Sequence, residues 1–127
     1  MIPALHDIAA REYVLLTTFR RTGVPVATPV WIVRDGEDAL ITTAATSGKV
    51  KRLAHTARVV LTPCDMRGRL LDGAEAVEAT AVVRHDEDTR ARIDRALMRK
   101  YGAKYKAIRA GQKLMRSKSV SVTLVLN

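Results

Sequence analysis

The chain has 127 residues, 47% of them apolar, and a formal net charge of +9. That is enough for one domain with a core of its own, and it excludes disorder as the reading of the bulk. A lone cysteine, Cys64, excludes an internal disulfide framework, and His6, His55 and His85 stand at no zinc-ligand spacing, so no metal is expected. No apolar run approaches the ~20 residues that cross a bilayer, and Met1 to Ala10 lacks the order of a signal peptide. The expected compartment is cytoplasmic, without a membrane partner.

In chain order, residues 2–11 suit a short helix. Tyr13 to Phe19 (YVLLTTF) is β-branched and apolar and predicts a first strand, with RRTGVP as the turn after it. Val26 to Arg34 predicts a second strand, in which Pro29 implies a bulge or an edge because proline cannot donate to a ladder. Asp35-Gly36 is a hairpin pair, and Asp38 to Thr43 returns as a third strand. Ser47 to Thr56 (SGKVKRLAHT) has helical spacing, with Ser47 as N-cap. Arg58 to Thr62 resumes strand character, residues 63–73 are turn-rich, and Ala74 to His85 alternates as a fifth strand. Asp86 to Tyr101 is the clearest helix, with acids in its first turn, Arg99 and Lys100 in its last and Gly102 as its stop. A weaker helical stretch runs from about Ala103 to Met115, and Val120 to Leu126 closes as a sixth strand. Mostly β with inserted helices (α+β), in one domain over 1–127, suits a barrel better than a doubly wound sheet.

Charge is uneven along this order. Residues 1–94 hold 13 basic and 13 acidic residues, whereas residues 95–127 hold nine basic residues and no acid. Such a segment suits a polyanion: nucleic acid, anionic lipid or a highly charged small molecule.

Two local patterns carry chemistry. Thr46 to Arg52 (TSGKVKR) follows a strand and opens a helix, where unpaired amides, the Ser47 hydroxyl, Lys49 and Arg52 together describe a phosphate cradle. The competing reading is a capped surface helix with solvated cations. In Ala27-Thr28-Pro29-Val30-Trp31, the proline leaves backbone groups free for a ligand and the tryptophan offers a flat apolar face. Its competing reading is a core tryptophan. Cys64 has no cysteine partner and reads as a buried hydrophobe, Asp65 as a turn-former, and His55 as a solvated helix residue.

Taken together, the strand ending Thr-Thr-Phe before Gly23-Val24-Pro25, the T-P-V-W strand, the S-x-K-x-x-R element and the R-V-x-L-x-P-C-D-x-R-G-R segment from Arg58 to Arg69 form an ordered set. The set resembles the pyridoxamine-5'-phosphate-oxidase-like split-barrel proteins, and within them the flavin/deazaflavin oxidoreductases that depend on coenzyme F420. The likeness is detailed over residues 13–70 and looser over 74–127. It implies a six-stranded split β-barrel and a homodimer with the cofactor in a groove at the interface. It also implies that Thr28, Pro29, Val30 and Trp31 border the ring system, and that Thr42 and Thr43 lie along the groove. Ser47, Lys49 and Arg52 would hold the phosphate, and Arg67 and Arg69 would reach cofactor or substrate.

The chain ends V-T-L-V-L-N and lacks the C-terminal arginine stretch and R-L-x-P of the true pyridoxamine phosphate oxidases, which disfavours vitamin B6 oxidation. Nor does any Ser-His-Asp or Cys-His arrangement support a hydrolase. The expected function is hydride transfer from reduced F420 to a small-molecule acceptor, with the cofactor supplying the chemistry. F420 is preferred over FMN because its phosphodiester and oligoglutamate tail would suit Lys104, Lys106, Arg109, Lys113, Arg116 or Lys118. The alternatives are an FMN-dependent enzyme and a flavin or F420 carrier. A nucleic-acid module accounts for charge only, and five aromatics offer few stacking platforms, so no nucleic-acid partner is expected.

Overall fold

In the computed structural model, which describes residues 3–107 and 121–127, β1 (Tyr13–Phe19) alternates half-buried and buried residue by residue. That period of two places Val14, Leu16 and Thr18 on one face and Tyr13, Leu15, Thr17 and Phe19 on the other. Around β1 the chain lays down α1 (Pro3–Ala9), β2 (Pro25–Trp31), β3 (Val33–Asp35), β4 (Asp38–Ala44), α2 (Gly48–Leu53), β5 (Arg58–Cys64), β6 (Val77–Arg84), α3 (Glu87–Tyr101) and β7 (Ser121–Leu126). The strands form one sheet in the order β2-β1-β5-β6-β7-β4-β3, with every pairing antiparallel.

The sheet curls because β6 serves two neighbours. Val77 to Thr80 pair with β5, and Ala81 to Arg84 pair with β7. On the open side β2 and β4 approach each other without sharing a ladder. The result is a split barrel. Its interior holds Val14, Leu16, Ile41, Val59, Leu61, Ala81, Leu124 and Leu126, closed by Leu5 and Ile8 of α1 and Leu53 of α2. Outside, α3 lays Ile93, Ala96, Leu97 and Tyr101 on Val33 and Leu40, with Trp31 and Val125 at the margin.

α3 starts and stops as its sequence predicts. The Asp86 carboxylate accepts from Thr89 N–H at 3.0 Å and from the Thr89 hydroxyl at 2.6 Å. Those bonds, with Arg84, hold the carboxyl far below its ordinary range. Gly102 ends the helix at φ 55°, a conformation that favours glycine. Arg92 then bonds Asp35 at 2.6 Å and Asp38 at 2.9 Å, tying α3 to the β3–β4 hairpin.

The expected second strand, Val26 to Arg34, is two strands, so the sheet has seven rather than six. β2 pairs with β1 and β3 pairs with β4, at opposite edges of the sheet. Ile32, fully buried, is the crossing residue. Its peptide groups, in neither ladder, would be unpaired without α3. Ile32 N–H donates to the Tyr101 hydroxyl at 3.3 Å, and Ile32 C=O accepts from Lys100 Nζ at 2.6 Å. The Tyr101 hydroxyl oxygen lies 2.6 Å from Glu12 C=O and 2.9 Å from Ile32 C=O, and its single proton serves the two as acceptors. The same Lys100 ammonium donates to Ala9 C=O at 2.8 Å and Arg11 C=O at 2.5 Å. Local propensity cannot reveal this break, because its partners lie about seventy residues away. The edge position inferred from Pro29 is the one observed. The predicted helix from Ala103 is helical over 103–107, and its remainder lies outside the described residues.

Candidate functional site

The T-P-V-W element divides between two faces. Thr28 and Val30 stand opposite Leu16 and Val14, on the interior side, whereas Pro29 and Trp31 stand opposite Leu15 and Tyr13, on the outer side. Thr28 Oγ1 is buried with no hydrogen-bond partner among the described residues. Trp31 stacks on Tyr101 with ring centroids 4.1 Å apart and planes 8° from parallel, and Tyr13 stands 6.4 Å away at a tilt. One indole face is therefore covered by α3, and the core reading of Trp31 describes that face. β4 divides likewise. Thr43 lies on the side of Ala39 and Ile41, and exposed Thr42 lies on the side of Leu40, opposite Thr123.

The interior side carries a polar group at one end. Ser47 caps α2, its Oγ accepting from Val50 N–H at 3.4 Å and from the Thr43 hydroxyl at 3.2 Å, which leaves its own proton without an acceptor among the described residues. Arg52 Nε donates to Thr18 Oγ1 at 2.5 Å. Thr18 is fully buried, two residues along β1 from the Leu16–Thr28 pair and on the same face. Lys49 is half-buried; burial, and then the neighbouring Arg52 charge, pull its pKa down. Among the described residues neither cation meets a carboxylate. α2 has only six residues, so what field this end presents comes from side chains rather than from a macrodipole.

Arg67 and Arg69 lie elsewhere. Asp65 Oδ1 accepts from both their backbone N–H groups at 2.9 Å, which makes the turn its sequence predicts. These backbone bonds, that to Arg69 first, hold the Asp65 carboxyl below its usual range. Gly68, at φ +83°, brings the turn against Leu15 and Pro29 on the outer face. Met66 and Leu70 are 66% and 58% exposed there, an apolar pair left open by the described residues. Buried Cys64 has its thiol pKa raised, first by burial and then by Asp65.

Thus Thr28, Val30 and Thr43 share the interior side, Ser47 and Arg52 are bonded to it through Thr43 and Thr18, and half-buried Lys49 lies on the same helix, while Pro29, Trp31, Thr42, Arg67 and Arg69 do not join them within one chain. Of the C-terminal cations, Lys104 bonds Glu12 at 2.9 Å. Arg109, Lys113, Arg116 and Lys118 lie outside the described residues. A cavity of about 210 Å³ beneath α1 is lined by Ile8, Arg11, Pro63 and Val77, and another of about 260 Å³ by Glu12, Lys100, Tyr101 and Lys104. Neither touches the α2 cations. Sequence reasoning missed Thr18 and Gly48. Thr18 looks like any strand threonine, and the available signal for Gly48 is a glycine one helical turn before an arginine.

The family model for pyridoxamine 5'-phosphate oxidase matches residues 3–125. The chain belongs to that family. Solved structures agree on the fold. A conserved hypothetical protein of Mycobacterium tuberculosis, Rv2991, superposes with TM-score 0.70 at 20% identity, covering 98% of this chain and 79% of that one. HutZ, a heme storage protein of Vibrio cholerae, gives 0.65 at 14% identity, covering 98% and 87%. An F420 reductase gives 0.63 at 17% identity, covering 100% and 94%. A search of curated proteins finds no match. Among the described residues, no helix is long and apolar enough to cross a membrane.

Proposed function

We propose that this family member is a cytoplasmic F420-dependent oxidoreductase that passes a hydride from the reduced deazaflavin to a small acceptor. The observation that carries the reading is the Lys49–Arg52 couple: two half-buried cations on the helix that Ser47 caps, with no acid to neutralise them among the described residues. Holding like charges together unpaired costs free energy that a bound anion returns. The buried, unpartnered Thr28 Oγ1 on the same side offers a further bond to a ligand. These residues fit a phosphate or phosphodiester, and Val30 gives the interior side an apolar surface for a ring. When bound, the cofactor supplies the hydride; the chain's residues bind and orient it.

Homodimerisation belongs to the same proposal. β2 presents an unpaired sheet edge, and the Met66–Leu70 turn exposes apolar surface beside Pro29. A second copy placed there would carry Arg67 and Arg69 toward a shared groove. One observation favours the FMN-dependent or carrier reading. Lys104 is already engaged by Glu12 and is less available to an oligoglutamate tail.

The test is a fluorescence titration with F420 and FMN at low and high salt, with sedimentation at micromolar concentration. The expected result is a dimer that binds F420 more tightly than FMN and with the steeper salt dependence. Tighter FMN binding transfers the proposal to the flavin reading, binding of neither sinks both, and a stable monomer removes the shared groove.

A further inference from the structure

Gly48 poses a physical question. It is the first residue of α2 and has no positive φ, so its backbone conformation is one that alanine adopts at lower cost, by roughly 1 kcal/mol in a helix. What a side chain would meet is Arg52. A Cβ at position 48 would lie 2.6 Å from Arg52 Nη1 and 3.4 Å from its Cζ. Arginine four residues on in a helix reaches back over residue i, and here the guanidinium rests on bare backbone.

The other flank of that guanidinium is also fixed. Nε donates to Thr18 Oγ1 at 2.5 Å, and Thr18 is anchored in β1 with no exposed surface. Nε is thereby spent, while the terminal Nη donors have no partner among the described residues. An arginine ordinarily loses several rotatable bonds' worth of freedom on binding an oxyanion. This one is held beforehand, on the same short helix as Lys49.

We propose that Thr18 and Gly48 are positioning residues that set the Arg52 fork for a phosphoryl oxyanion without touching the ligand. The inference rests on the phosphate reading of the Lys49–Arg52 couple. Thr18 accepts from Nε and so fixes the plane of the guanidinium. Gly48 provides the space in which the Nη end lies.

The experiment compares wild type, Gly48→Ala, Thr18→Val and Arg52→Ala, alone and combined, with FMN, F420 and inorganic phosphate as probes. Gly48→Ala is expected to hold or raise thermal stability while lowering FMN and F420 affinity about tenfold. A purely structural glycine would move both in one direction. Thr18→Val is expected to lower affinity similarly, and in the Arg52→Ala background neither change should have a further effect. Gly48→Ala binding like wild type, or losses that persist without Arg52, overturns the proposal. Wild type binding none of the probes defeats the phosphate reading and the ligand role with it. The lock itself is read without ligand, as exchange protection of the Arg52 Nε–H resonance. That protection should be lost in Thr18→Val, and equal protection in both proteins also overturns the proposal.

Discussion

Two places in this molecule draw lysine and arginine out of water, and they do so on opposite terms. At the strand crossing, the Lys100 ammonium has three backbone carbonyls within 2.8 Å, one for each of its protons. Burial pulls its pKa down to about 8, so it is still charged at neutral pH and fully bonded. At the α2 end, Lys49 and Arg52 lie side by side with no carboxylate among the described residues, and burial and mutual repulsion lower the Lys49 pKa. A satisfied buried cation stabilises the fold that encloses it, whereas an unsatisfied pair stores a preference for an anion that the chain does not supply.

The contrast is most easily broken at Lys100. Lys100→Met keeps the aliphatic stem but leaves Ala9, Arg11 and Ile32 carbonyls without their donor. It should cost about 2–4 kcal/mol in urea unfolding. A variant within 0.5 kcal/mol of wild type, a margin about that of ordinary surface substitutions, would show that water replaces the ammonium freely. Lys49→Ala should do the reverse, leaving stability unchanged or raised and weakening F420 or FMN binding by about 1.5–3 kcal/mol, ten- to a hundredfold. Lys51→Ala, on an exposed position of the same helix, is the control. Equal binding by the two variants would assign the charge to solvation and not to a site.

The smallest effect sharpens the crossing itself. Tyr101→Phe keeps the stack on Trp31 and removes the hydroxyl that meets both Ile32 peptide groups, for an expected loss of about 1–2 kcal/mol. Burial raises the Tyr101 pKa above its ordinary value. A raised folded pKa contributes stability below the unfolded value, about 10 for tyrosine, and loses it as pH climbs toward the folded one. The stability gap between wild type and Tyr101→Phe should therefore hold up to about pH 10 and shrink above it. A gap that widens there would reverse the assignment.

The same contrast explains what the sequence made legible. Strand periodicity, the Asp86 cap and the Gly102 stop are local signals, and they placed five strands and both longer helices close to where they lie. The crossing at Ile32 is not local. Its peptide is satisfied by Lys100 and Tyr101, and in sequence those two read as the basic last turn and apolar stripe of an ordinary helix. At the site, Ser47, Lys49 and Arg52 were legible because phosphate chemistry demands those residue types near one another. That Thr28 and Trp31 face opposite ways follows from strand alternation. Which of them faces the interior depends on the register against β1, which only the fold provides.

The sheet order has a consequence for the making of this protein. β7 is the latest strand in the chain, yet it sits between β6 and β4. A ribosome that has released everything through α3 has released a four-stranded piece, β2-β1-β5-β6, and a separate ribbon, β4-β3. A lone ribbon is marginal in water, and Leu40 cannot meet Val125 until β7 has been synthesised. Apart from β7, the two pieces meet through the Ile32 crossing, which Lys100 and Tyr101 bond, and through α1 and α2, each of which touches both.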